Sequence, residues 1–243
     1  FDGNIIETIE SDSNGYFENT YLVPNESIAG PNTIMITYIP DEFYLSSTSS
    51  WVLKVSHNIR IEMPDYDAMT NSTEEISGFV FDKANRPVSN LEVRLSLDSG
   101  FPLIGKTNAE GKFSIDLEIP FGTSLGYHNL TVESLGNNYY IGNSTTSKLF
   151  VQGQTFLTLD IPASLEYKQE FTGTITLQMY DGTFVSGAPL LISLEPLGMT
   201  TMVVTDFNGT ATFTSYFSGN STVPMEVLVN YTGNEEYVAS SIE

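Results

Sequence analysis

The sequence predicts an all-β fold of β-sandwich modules in tandem. Three observations point there: composition, a two-residue hydrophobic period, and a phrase that recurs about every hundred residues. Of 243 residues, 15 are Phe and 13 are Tyr, and Thr, Ser, Val and Ile are abundant. Such side chains suit a pleated, half-buried surface. Leu91, Val93, Leu95 and Leu97 alternate with Glu92, Arg94 and Ser96. Phe113, Ile115, Leu117 and Ile119 alternate with Lys112, Ser114, Asp116 and Glu118, and Leu130 and Val132 with Asn129, Thr131 and Glu133. This is the period of antiparallel sheets that bury one face. No helical period stands beside it.

The recurring phrase reads "SDSNG" at 11–15, "TNAEG" at 107–111 and "TDFNG" at 205–209. Gly15, Gly111 and Gly209 are 96 and 98 residues apart (111 − 15 and 209 − 111), and Tyr44, Tyr140 and Tyr237 are 96 and 97 apart (140 − 44 and 237 − 140). The intervening text aligns too: "GPNTIMITYIPDEFYLSSTS" from Gly30 matches "GYHNLTVESLGNNYYIGNST" from Gly126, and 74–97 matches 169–194. Each phrase is expected to be a hairpin-type connection between adjacent strands. Its glycine supplies a positive φ, and its Asp or Asn hydrogen-bonds the local backbone.

Aligned this way, residues 1–56 are the C-terminal half of a repeat and 57–152 a complete one. Residues 153–243 are a repeat lacking its last strand, the counterpart of "SKLFV" at 147–151. Half a sandwich leaves an apolar face and strand edges open. The chain is therefore expected to be an excerpt of a longer protein, or to take strands from another chain. Short linkers fall near "KVSHNIR" and "FVQGQTF".

Nine basic residues face thirty acidic ones, a net charge of −21. Such a surface repels phosphate backbones and anionic lipid, which argues against a nucleic-acid partner. No run of 18 apolar residues exists, so direct membrane insertion by a helix is not expected. With no cysteine, disulfides, thiolate metal sites and cysteine nucleophiles are excluded together.

The pattern of Gly78, Val80, Asp82, Arg86, Pro87, Val88, Val93, Gly111, Phe113, His128, Val132 and Tyr140 resembles the immunoglobulin-like tandem repeats of large bacterial and archaeal cell-surface proteins, of S-layer or adhesin type. The resemblance covers essentially the whole chain. It implies immunoglobulin-like sandwiches serving as stalks, lattice units or adhesin segments. The third copy departs from it, with Thr210 and Ala211 where Lys112 and Phe113 stand, so Phe213 is expected to fill the core instead. There is no cysteine pair, and Trp51 lies near a last strand, so immune recognition of the vertebrate kind is not implied.

Seven N-x-[ST] sequons occur, at Asn25, Asn71, Asn129, Asn143, Asn208, Asn220 and Asn230. Asn129 and Asn230 fall on the outward phase of their strands, and the other five are expected in turns or loops. All seven can carry N-linked glycan without entering a core. Asp65 and Asp67 form a D-x-D step in a loop expected at the pole that faces the next module, whose near pole should carry Asp181 and Asp206. Together these four are the candidate ligands for Ca²⁺ through hard oxygen donors. No enzyme is expected. The only histidines, His57 and His128, are 71 positions apart (128 − 57), and no nucleophile elbow, zincin motif or phosphate-cradling loop is present. His128 is expected at the surface or on an edge. Of the aromatic pairs Phe43–Tyr44 and Tyr139–Tyr140, one ring of each is expected inward, with Phe43 and Tyr139 outward.

The function these readings imply is structural: a segment of an exported, N-glycosylated, acidic cell-surface protein, an S-layer lattice subunit or stalk, of archaeal origin. Its partners would be neighbouring copies or other surface proteins. Alternatives are an adhesin or carbohydrate- or protein-binding module, a filament subunit joined by strand exchange, and an accessory region of a secreted hydrolase.

Overall fold

A computed structural model describes Phe1, 5–166, 168–195, 197–216 and 224–243. The described residues form seventeen β-strands and no helix. β1 (Gly30–Tyr38) and β2 (Ser47–Val55) make a two-stranded antiparallel sheet. Eight strands follow: β3 (His57–Glu62), β4 (Tyr66–Met69), β5 (Ser72–Asp82), β6 (Glu92–Leu97), β7 (Leu103–Lys106), β8 (Lys112–Ile119), β9 (Gly126–Gly136) and β10 (Tyr140–Gln152). Their hydrogen-bonded order is β7-β6-β9-β10-β3-β5-β8, with β4 also on β10. The remaining strands are β11 (Thr155–Asp160), β12 (Glu170–Met179), β13 (Pro189–Glu195), β14 (Met199–Val204), β15 (Thr210–Tyr216), β16 (Glu226–Tyr231) and β17 (Ser240–Ile242). They build one sheet ordered β11-β12-β15 and another ordered β14-β13-β16-β17.

The topology therefore repeats. β11, β12 and β15 pair as β3, β5 and β8 do, and β14, β13, β16 and β17 as β7, β6, β9 and β10 do. The alternating pattern explains why. In β8 the burial runs iBeBeBeB, and in β15 iBeBeBe, so each strand commits one face to a core and one to water.

The chain divides into two compact units: Phe1–Pro64 with Glu75–Ile115 and Asn129–Ser147, and Asp65–Glu74 with Asp116–His128 and Lys148–Glu243. In the first, Ile59, Ile61, Val80, Val93, Leu95, Phe113, Leu130 and Val132 are buried. In the second, a cluster includes Phe171, Ile175, Leu177, Leu190, Ile192, Phe213, Val227 and Val229, with Leu125 and Tyr237 packed against it. Phe213 does take a core place, its ring 5.9 Å from that of Phe171.

Three expectations are corrected. "TNAEG" and "TDFNG" are not hairpins: β7 pairs with β6 while β8 pairs with β5, and β14 pairs with β13 while β15 pairs with β12. Each turn joins two strands that do not pair with each other. The D-x-D stretch is not a loop, because Tyr66–Met69 is β4, parallel to Leu149–Gln152. Finally, Tyr44 is 67% exposed where an inward ring was expected. Its counterpart Tyr140 is half-buried beside β3, a strand the β1–β2 hairpin has no equivalent of among the described residues.

Candidate functional site

The residue types singled out in the sequence turn out to organise backbone. Asp12 Oδ1 accepts from Asn14 N and Tyr16 N, both at 2.9 Å. Asn108 Oδ1 accepts from Glu110 N at 3.0 Å and Lys112 N at 2.8 Å. Asp206 Oδ1 accepts from Asn208 N at 2.9 Å and Thr210 N at 3.0 Å. Gly15, Gly111 and Gly209 follow with φ of 77°, 72° and 67°. The last two also lie flat against a neighbouring strand, since a Cβ at Gly111 would meet Val80 O, and one at Gly209 would meet Leu177 O. A second threefold turn lies in the hairpins that carry Tyr44, Tyr140 and Tyr237. Asp41 Oδ1 accepts from Phe43 N and Tyr44 N, Asn137 Oδ1 from Tyr139 N and Tyr140 N, and Asn234 Oδ1 from Glu236 N and Tyr237 N. The 96- and 97-residue spacing of Tyr44, Tyr140 and Tyr237 marks these turns in the sequence.

The four candidate calcium ligands do not converge. Asp65 Oδ1 accepts from Lys148 N at 2.7 Å, tying β4 to β10, and Asp67 lies exposed within β4. Asp181 Oδ1 accepts from Thr183 N at 2.8 Å, and Asp206 is the turn former described above. Among the described residues no three His, Cys, Asp or Glu side chains are grouped to hold a metal ion. A cation held by hard oxygens needs six or more of them together, and these residues do not fit one.

Of the sequons, Asn71 and Asn208 sit exposed in turns, Asn71 with a φ of 60°. Asn25 is exposed in a turn as well, and Asn129 is exposed in β9. Asn230 is half-buried in β16. Asn143 was expected in a loop but lies in β10, and its Nδ2 donates to Ile59 O at 2.9 Å. Asn220 lies outside the described residues.

The histidines do not meet. His128 is buried rather than at the surface, with Nε2 2.7 Å from Ser124 O. His57 is buried with Nδ1 3.3 Å from Asp82 Oδ2. A cavity of about 420 Å³ in the third copy is walled by Leu194, Met199, Val203, Phe213 and several Thr and Ser side chains, with no titratable group. Tyr139 and Phe43 are exposed, at 37% and 85%.

Geometry is most developed where β10 passes into β11. Only Gly153 and Gln154 intervene, and both are held. Gly153 N donates to Glu236 O at 2.8 Å and Gly153 O accepts from Val238 N at 2.9 Å. Gln154 N donates to Thr70 Oγ1 at 3.3 Å, and Gln152 Nε2 to Glu235 O at 3.1 Å. Thr155 Oγ1 donates to Val238 O at 2.7 Å. A Cβ at Gly153 would strike Met179 Sδ, Tyr237 and Leu125. The connection is a packed joint.

No family model and no curated protein sequence matches the chain. Among solved structures, it is similar to a 1.5-MDa bacterial ice-binding adhesin described for host-cell-surface retention, at 14% identity and a TM-score of 0.33, over 77% of this chain and 64% of that one. It is also similar to a Ca²⁺-stabilized adhesin with which an Antarctic bacterium binds ice, at 13% identity and a TM-score of 0.33, over 86% and 55%. Native alpha-2-macroglobulin of Escherichia coli matches at 13% identity and a TM-score of 0.33, over 96% of this chain and 17% of that one. The chain thus spans less than two thirds of each of these three structures.

Proposed function

We propose that this segment is a load-bearing spacer in an exported, acidic, N-glycosylated cell-surface protein, a stalk or an S-layer unit of an archaeal envelope, and that it carries no catalytic site. The observation that supports this is the joint at 152–155. Five hydrogen bonds and a packed glycine leave no free linker between β10 and β11. A repeat array whose joints are built into its sheets holds its extension, because stability and stiffness then add over units and interfaces. Neighbouring copies or other surface proteins are the partners such a spacer meets, and its sequon-bearing turns present glycan to solvent.

The test is a distance measurement across the joint. Spin labels on Glu118 and Thr212 should give a narrow distance distribution. A Gly-Ser insertion after Gln152 should broaden it. An equally broad distribution in the uninserted protein overturns the reading. A second reading, sugar or protein recognition, is favoured by the exposure of Phe43 and Tyr139. Saturable glycan-array binding lost in Tyr139→Ala would replace the spacer reading.

A further inference from the structure

The two copies use the same backbone bonds but different side chains at one corner. Asp82 N donates to Arg86 O and Met179 N to Thr183 O; Val88 N donates to Val80 O and Val185 N to Leu177 O. Asp82 is therefore the counterpart of Met179, and Arg86 of Thr183. His57 and Gly153 also correspond, through their parallel pairings with Tyr140 and Tyr237. One corner holds Gly153 against Met179, where Thr183 N donates to Asp181 Oδ1 and no arginine takes part. The other holds an ion pair whose carboxylate is buried and whose guanidinium is partly exposed.

In that pair Asp82 is 3% exposed, and its Oδ2 accepts from Arg86 Nε at 2.8 Å while Oδ1 accepts from Ala84 N and Arg86 N. The rest of the guanidinium reaches a distant stretch of chain. Arg86 Nη1 donates to Glu26 O at 3.0 Å, and Nη2 to Ser27 O at 2.8 Å. Ser27 N in turn closes its own turn onto Pro24 O. Two forked bonds to main-chain carbonyls, aimed by a buried carboxylate, fix a position more tightly than a solvated ion pair does.

We propose that Asp82 and Arg86 form an acid-released clamp that fixes the turn at 24–28, just ahead of β1, and that the Gly153–Met179 corner has no such device. Asp82 supplies the titration. Burial alone would raise its carboxyl, but the bonds from Arg86 N, Arg86 Nε and Ala84 N, with the guanidinium charge, outweigh it and hold it below the ordinary aspartate range. A lowered folded value means the clamp is fully set above the unfolded value, near pH 4, and is lost as pH falls through the folded one. The other groups facing Asp82 are His57 on β3, at 3.3 Å, and Tyr140 on β10. The clamp stands apart from the spacer reading. The distance test across 152–155 can fail while the clamp holds, and the reverse.

Amide exchange at Ser27 in the 243-residue protein reads the clamp. Arg86→Ala and Asp82→Asn should each speed it about tenfold at pH 7 while the Leu95 amide keeps its protection, Arg86→Lys should fall between, and Thr183→Ala should leave it unchanged. In the parent protein, protection of Ser27 corrected for intrinsic exchange should hold down to about pH 4 and drop only below it, and Arg86→Ala should abolish that drop. Where a variant fails to fold, the parent's own Arg86 Nε–H decides. Slower exchange than at Arg94 Nε–H supports the clamp, and equal rates overturn it. Equal Ser27 rates in the parent and a folded Arg86→Ala protein also overturn it.

Discussion

Leu190 and Leu191 are neighbours on β13 with opposite fates, and that contrast tests the burial phase of the fold. Leu190 is fully buried among Ile175, Leu177, Ile192 and Val229, whereas Leu191 is 39% exposed. Replacing Leu190 with Ala removes three buried carbons and leaves a void that strands locked on both sides, β14 and β16, cannot close. Large-to-small changes at such sites cost about 3 to 4 kcal/mol. In a cooperative unit of about 90 residues, that lowers the midpoint by about 18 °C. Leu191→Ala should stay within about 0.5 kcal/mol, or about 3 °C. Differential scanning calorimetry of both variants, with exchange at the Ile192 amide to assign the transition, measures the pair. Equal shifts for the two substitutions would falsify the register of β13 and with it the placement of the second core.

Other outcomes follow from single contacts. Asn108→Ala and Asp206→Ala each remove two side-chain bonds to backbone amides and should each cost about 1 kcal/mol, read as a lower urea midpoint with unchanged slope. A Cβ at Gly78 would meet Glu62 O and the Phe113 ring, so Gly78→Ala should cost about 1 to 3 kcal/mol in the same assay. Asp65→Ala should lower the midpoint equally in calcium and in EDTA, because its loss is a bond to Lys148 N; a loss seen only in calcium would restore the metal reading. In glycopeptide mapping of protein secreted by its native host, Asn71 and Asn208 should be occupied ahead of Asn143, whose acceptor nitrogen already donates to Ile59 O.

Strand faces were legible because water enforces the two-residue period on every strand with one wet side. The turn chemistry was legible for a related reason: Asp12, Asn108 and Asp206 act on amides two and four residues away, within the window a reader sees. Partner choice was not. The same local turn serves a hairpin or a link between strands that do not pair, and only contacts such as Val80 N to Gly111 O, far apart in sequence, decide which. β4 was missed because four residues carrying an exposed Asp67 give no usable period. The burial of His128 was within reach, since it shares parity with Leu130, Val132 and the buried Ser134, and its polarity outweighed its phase. Asp82 likewise shares parity with Ile76 and Val80. What could not be read was Arg86 reaching back some sixty residues to Glu26 and Ser27.

The acidity of the chain takes on a physical sense from where its carboxylates point. With nine cationic side chains for thirty anionic ones, pairing by salt bridge could satisfy few of them. Among the described residues Asp12, Asp41, Asp65, Asp98, Asp181 and Asp206 instead accept from backbone N–H groups. Amide donors do not titrate and need no countercharge, so a carboxylate can hold a turn while its charge stays in water. The same bonds hold Asp12 below its usual range, and for Asp41 the Tyr38 hydroxyl does so first and the amides of Phe43 and Tyr44 next. Their contribution is therefore present above about pH 4 and declines as pH falls through the lowered values. Mutual repulsion pulls the other way, being greatest when every carboxylate is ionised and screened by salt. The thermal midpoint should accordingly rise with added NaCl at pH 7 and lose most of that salt response near pH 3, where fewer charges remain to screen. A salt response undiminished by acid would mean that ions act on this chain by binding rather than by screening.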